Sequence, residues 1–226
     1  MANQLDLEEQ EQLDQLKHFW NQYGNLITWV LLLVLAGVAT WNGYHYWQRS
    51  QAAQAVAMYD EMSKSVAAGD MAMAQRTLSD MKERYGSTSY TQQAALVLAK
   101  FASDKGDGDA AKGALQWVAD KSSDEGYVAI ARLRLAAMYF EAKDYAQALA
   151  SLDGIKADSF TALVSDRRGD VLLVQDKRTE AKEAYLQAYQ KLDENAQYRR
   201  VVEVKLNALG IEPVATGKAA PAPKAK

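Results

Sequence analysis

The chain of 226 residues contains no cysteine. Thiolate catalysis, disulfides and Cys-ligated zinc are therefore excluded. The compartment stays open: an oxidising periplasm suits a Cys-free chain, and a cytosolic protein can lack Cys as well. Histidine is confined to His18 and His45, both beside one apolar stretch. No His-based triad or His-rich metal site can be built in the rest of the chain. Proline occurs only at Pro213, Pro221 and Pro223. No Gly-rich phosphate loop is present: Gly106-Asp107-Gly108-Asp109 is too short and too acidic, and lacks the Lys-Ser/Thr pair. The same run could open a calcium loop, but its twelfth position, Leu115, carries no carboxylate, so a helix-joining turn is the better account. A net charge of −3 argues against a general nucleic-acid binder.

The most informative absence is of charge. No Asp, Glu, Lys or Arg lies between Lys17 and Arg49. Within that gap the apolar stretch 26–47 is long enough, as a helix of about 33 Å, to cross a hydrocarbon core of roughly 30 Å. In lipid a helix satisfies every backbone N–H and C=O internally. Trp20 and Tyr23 stand near one end, and Tyr44, Tyr46 and Trp47 near the other, where amphipathic rings meet headgroups and membrane lipid. The competing account is a core helix of a soluble protein. The residues before the stretch are acidic, and no small-residue cleavage pattern follows it, so a retained anchor is expected rather than a signal peptide. Lys17 on one side and Arg49 and Lys64 on the other leave the orientation undecided by charge. Ala36, Gly37, Ala39 and Gly43 offer small surfaces for a partner helix, without a strict GxxxG.

The expected layout is an acidic tail over 1–25, a transmembrane helix over 26–47, a repeat domain over 48–211 and a disordered Ala/Pro/Lys tail over 212–226. The acidic tail is either solvated or a docking helix. After Trp47 no Gly or Pro intervenes before Gly69, so the anchor is expected to run into the first repeat helix. From there helices of about 12–18 residues alternate with short turns rich in Asp, Gly, Ser, Asn and Thr. The fold class is all-α.

The spacing identifies the repeat as tetratricopeptide-like. Such a unit wants a small residue at position 8, a large one at 11, Ala at 20 and a large one at 24, because its two helices approach closely at 8 and 20. Ala136, Tyr139, Ala148 and Leu152 satisfy all four, and Gly169, Leu172, Ala181 and Tyr185 do so again 33 residues later. Ala99, Ala111 and Leu115 make a fair unit, and Ala74 with Leu78 half of one. About eight helices are expected over 50–210, because such repeats bury their apolar faces only against neighbours. Asp166, Asp170, Glu180 and Glu183 alternate with Arg167, Arg168, Lys177, Arg178 and Lys182 and read as a solvated, salt-laced face. Tyr139, Tyr145, Tyr185 and Tyr189 stand at core or groove spacing; packing is one account and a peptide-binding surface the other.

The order of features resembles the YfgM family, the ancillary subunit of the bacterial SecYEG translocon. An acidic tail leads to Lys17-His18-Phe19-Trp20, Gly24-Asn25, a single span and Gly43-Tyr44-His45-Tyr46-Trp47. Leu133-Arg134-Leu135-Ala136, the run from Ala148 to Lys156, the stretch Ser165-Asp166-Arg167-Arg168-Gly169-Asp170 and the closing Lys205-Leu206-Asn207-Ala208-Leu209-Gly210-Ile211 complete it. The resemblance covers roughly residues 8–211. It implies a bacterial inner-membrane protein with a cytoplasmic N-terminus and a periplasmic repeat domain. It also implies association with SecYEG and the periplasmic chaperone PpiD, and help for client polypeptides leaving the translocon. It carries over no catalytic residue, cofactor or metal. Two other readings of the residues stand beside it: a repeat scaffold of another envelope assembly complex, and an enzyme with a carboxylate pair in a deep pocket.

Overall fold

In the computed structural model, residues 7–211 are described; the segments 1–6 and 212–226, which hold part of the acidic tail and all of the Ala/Pro/Lys tail, lie outside them. Among the described residues the chain is helical, with no strand. It divides at Gln54 into two compact units.

The first unit is the greater part of α1, Leu7–Ala67, a single helix of 61 residues. It is unbroken at 25 and at 47, so the expected tail, span and first repeat helix are one element. Its length is permitted by composition: no proline lies between Gln10 and Ala67 to remove a backbone N–H. α1 is the one helix among the described residues long and apolar enough to cross a membrane. Its apolar side chains face outward all round: Trp29 is 63 % exposed and Leu33 70 %. A soluble core helix would bury that surface; among the described residues nothing covers it.

The second unit consists of the end of α1 followed by α2 (Met71–Tyr85), α3 (Ser89–Asp104), α4 (Gly108–Lys121), α5 (Glu125–Glu141), α6 (Tyr145–Asp153), α7 (Thr161–Val174), α8 (Arg178–Lys191) and α9 (Gln197–Ala208). A short 3-10 turn, Asp158–Phe160, precedes α7. The odd-numbered helices are the first members of successive hairpins and the even-numbered ones the second.

One local device sets the hairpins. Each odd-numbered helix ends on a residue with positive φ: Gly69, Gly106, Lys143, Asp176 and Gly210. The next N–H then reaches back to close the turn, as from Asp70 to the Ser65 carbonyl at 2.9 Å, Asp107 to Ala102 at 2.9 Å and Asp144 to Tyr139 at 2.8 Å. In three of these turns the following Asp caps the next helix. Asp70 accepts from the Met73 N–H at 2.9 Å, Asp107 from Ala110 at 3.0 Å and Asp144 from Gln147 at 3.1 Å. Asp107 is thus spent on capping α4, which settles the Gly106–Asp109 run as a helix-joining turn.

Two apolar clusters lie inside the stack. The first packs Met62 of α1 with Leu78, Met81, Leu98, Leu115, Val118 and Leu135. The second packs Leu172, Tyr185, Val202, Leu206 and Leu209. Each fully buried side chain of this size contributes about 1.5–3 kcal/mol. Two buried polar side chains link neighbouring helices: Gln92 accepts from the Ser122 hydroxyl at 2.9 Å, and Thr91 donates to the Tyr85 carbonyl at 2.8 Å.

Candidate functional site

The residues singled out at repeat positions lie inside the stack. Ala111, Ala148 and Ala181 are fully enclosed, and Ala99, Ala136, Leu152, Leu172 and Tyr185 are buried. Gly169 is buried under the Tyr185 ring, where a Cβ would stand 2.5 Å from Cε1. Tyr139 is only half-buried, packed against the first cluster with the Lys112 ammonium 5.4 Å from its ring centre.

The aromatics at the ends of the apolar stretch are exposed: Trp20, Tyr23, Tyr44, Tyr46 and Trp47. They form two groups. Trp20 folds across Gly24, and Phe19 stacks on Tyr23 at 5.1 Å. At the other end Trp41 meets His45 at 4.5 Å and Tyr44 meets Trp47 at 6.2 Å. Trp20 and Tyr44 are about 36 Å apart along a straight helix, slightly more than the roughly 30 Å core such groups bracket.

The acidic residues on α7 do not form the solvated face expected of them. Asp166 is fully enclosed and Asp170 is three-quarters enclosed. Between them sits the Lys205 ammonium of α9, 2.7 Å from Asp166 Oδ1 and 2.7 Å from Asp170 Oδ1. The Tyr198 hydroxyl donates to Asp166 Oδ2 at 2.6 Å, and the Tyr185 hydroxyl to Asp170 Oδ1 at 2.7 Å. Arg167 pairs with Asp170 Oδ2 at 3.3 Å. The Lys205 ammonium also stands 5.2 Å from the Tyr185 ring centre. The solvated reading fails because α9 lies over these acids and supplies the counter-charge. Burial first, then the hydrogen bond from Tyr198 to Asp166, push the Tyr198 phenol up to about 12. Burial and Asp170 hold the Tyr185 phenol well above the ordinary tyrosine value. Both carboxylates are committed to donors, so the cluster works as a clamp joining α7, α8 and α9.

Of the two accounts of the tyrosines, packing holds for Tyr185 and Tyr189. Tyr185 and Tyr189 are buried, with the Arg199 guanidinium 4.1 Å over Tyr189, and Tyr145 stacks on Phe140 at 5.9 Å. The Tyr185 and Tyr189 rings belong to the second apolar cluster, while Tyr145 is only half-buried. Two open depressions lie instead between successive odd-numbered helices. The first, about 270 Å³, is floored by Val66, Leu96, Val97 and Phe101 and rimmed by Lys100, Asp104 and Arg134. The second, about 180 Å³, is floored by Leu133, Ala136, Phe140 and Val171 and rimmed by Glu141, Arg167 and Asp170. Sequence spacing could not show them, because they form only where neighbouring repeats stack. Among the described residues no group of three or more His, Asp or Glu side chains is placed to hold a metal ion.

A family model described as a tetratricopeptide repeat-like domain matches residues 17–211. The chain is 32 % identical over 206 residues to a protein of Haemophilus influenzae named ancillary SecYEG translocon subunit, covering 90 % of this chain and 98 % of that one. A Neisseria gonorrhoeae protein of the same name is 30 % identical over 207 residues, with 90 % and 98 % covered. An Escherichia coli protein of that name is 29 % identical over 209 residues, with 90 % and 97 % covered. No solved structure matches the chain significantly.

Proposed function

The chain belongs to the YfgM family of ancillary SecYEG translocon subunits, and from that premise we propose that it acts as a non-enzymatic, membrane-anchored scaffold at the translocon exit. α1 holds the protein in the inner membrane, with the N-terminus cytoplasmic and the repeat unit periplasmic. The repeat unit engages exported client polypeptides and a periplasmic chaperone of the PpiD kind. Anchoring raises the local concentration of the repeat unit where clients emerge, so individually weak contacts suffice.

The observation that carries this reading is the extent of the likeness, 90 % of this chain and 98 % of the Haemophilus influenzae relative, so that span and repeats are matched together. The buried clamp supports the non-catalytic part: Asp166 and Asp170 already accept from Lys205, Tyr198 and Tyr185, which leaves them poor general bases.

The test is photo-crosslinking in intact membranes from positions within 26–47 and from the two depressions. Adducts with Sec components are expected from the helix, and with chaperone or nascent chains from the depressions. Capture of no Sec component from either place would sink the proposal. A periplasm-active reporter fused after Gly210 checks the orientation; activity only of a cytosol-active reporter would reverse it.

A further inference from the structure

The two depressions flank α5, and α5 gives each a charge of opposite sign. Arg134 rims the first and Glu141 the second. They are seven residues apart, two turns on one face, about 10.5 Å along the axis. The other rim charges are paired, Lys100 with Asp104 at 2.7 Å and Arg167 with Asp170 at 3.3 Å. Among the described residues Arg134 and Glu141 have no ion-pair partner; Arg134 Nη1 only donates to the Leu96 carbonyl at 3.1 Å. A groove of apolar floors therefore carries one spare cation at one depression and one spare anion at the other.

Size decides the class of occupant. At about 270 and 180 Å³ neither depression reaches the roughly 300–1,000 Å³ of a small-molecule site. Each is comparable to the roughly 150 Å³ cavity that admits one benzene ring, so each accepts one large side chain. Successive helices pack about 8–10 Å apart, which three or so extended residues span. A hydrocarbon tail would fill the floors but leave both spare charges unanswered.

We propose that this face takes an extended polypeptide segment, with one large apolar side chain in each depression, an acidic side chain against Arg134 and a basic one against Glu141. The proposal rests on the client-binding part of the function proposed above and specifies what a client must present. Clients lacking either charge bind more weakly, and acidic and basic segments are read by different residues.

The test uses the full chain in detergent micelles and three fluorescein-labelled dodecapeptides. Each carries two Phe separated by three residues; one adds an Asp and a Lys, one two Asp, one two Lys. Fluorescence anisotropy at low salt should show the mixed peptide binding best. Arg134→Ala should weaken the Asp-bearing peptides about threefold and leave the Lys peptide unchanged, with Glu141→Ala doing the reverse, the size expected of exposed ion pairs. Ala137→Glu, at an exposed position in the second depression, should weaken all three. Absence of binding to the parent protein, equal losses for every peptide in the Arg134→Ala and Glu141→Ala variants, or self-association of the chain through this face would overturn the proposal. If Sec adducts form in membranes while no peptide binds, the translocon assignment stands and this inference falls.

Discussion

Gly169 of α7 lies flat against the ring of Tyr185 of α8, so close that a Cβ there would stand 2.5 Å from Cε1 and 2.7 Å from Cδ1. The glycine is what lets the two helices of this hairpin approach. Tyr185 cannot retreat, because its hydroxyl is tied to Asp170 at 2.7 Å and the residue is 1 % exposed.

Gly169→Ala should therefore destabilise the repeat unit by up to about 2 kcal/mol, as overpacking of about 1–3 kcal/mol is partly offset by the roughly 1 kcal/mol better helix propensity of Ala. Thermal unfolding of the full chain in detergent, followed by circular dichroism, reads this. Adding Tyr185→Leu should make the pair of changes cost less than the sum of the two singles, the sign of direct contact. Strict additivity would refute the contact.

Lys205→Met should be costly, about 3–5 kcal/mol, since it strands the enclosed Asp166 carboxylate without a counter-charge. The double variant Lys205→Met with Asp166→Asn should recover a large part of the loss. Protease resistance of the second unit as a function of temperature would show both effects. Equal fragility of single and double variants would mean that packing of α9, not charge, holds the clamp.

Alkaline pH should open the same region. Tyr198 and Tyr185 have folded-state values raised above the unfolded value of about 10. The unfolded chain thus gives up these protons first, so their contribution is fully present below about pH 10, flat through neutrality, and is lost as pH rises from about 10 through about 12. Tyr198→Phe should flatten the decline over that interval. A decline unchanged in a Tyr198→Phe, Tyr185→Phe double variant would assign it to other groups.

The turns that close the odd-numbered helices make a further prediction. Lys143 and Asp176 hold positive φ, at 61° and 60°, where the other three turns use Gly. Lys143→Gly should stabilise the chain by up to about 1 kcal/mol, and Gly106→Ala should weaken it by a similar amount. Melting temperatures of the two variants should move in opposite directions.

The parts legible in the sequence were the local ones. An Asp after a Gly announces a closed turn and a capped helix whatever surrounds it, as at Gly69-Asp70 and Gly106-Asp107. Small residues at 33-residue intervals place Ala136 and Gly169 at equivalent points because close approach admits little else. The pairing of Asp166 with Lys205 was hidden, since the partners are 39 residues apart and Asp166 stands in a run that reads as surface. Tyr185 and Tyr189 were open to two accounts for a related reason: the spacing gives a face, not which side of the hairpin that face meets, and burial decides for packing. The places of Arg134 and Glu141 at the two depressions gave no signal, because that setting exists only once the hairpins begun by α1, α3, α5 and α7 are stacked.

The bridge from Lys205 to both acids of α7 also bears on how relatives can diverge. Ser165–Asp170 and Lys205–Gly210 are remote in the sequence but chemically one piece, so neither can drift alone. A lineage that replaces the lysine must neutralise Asp166 in the same step or pass through a weakened protein. Chimeras cut between α7 and α9 will work best when both parents keep the pairing. Covariation between these two stretches is therefore a way to recognise distant members of the family that overall identity would miss.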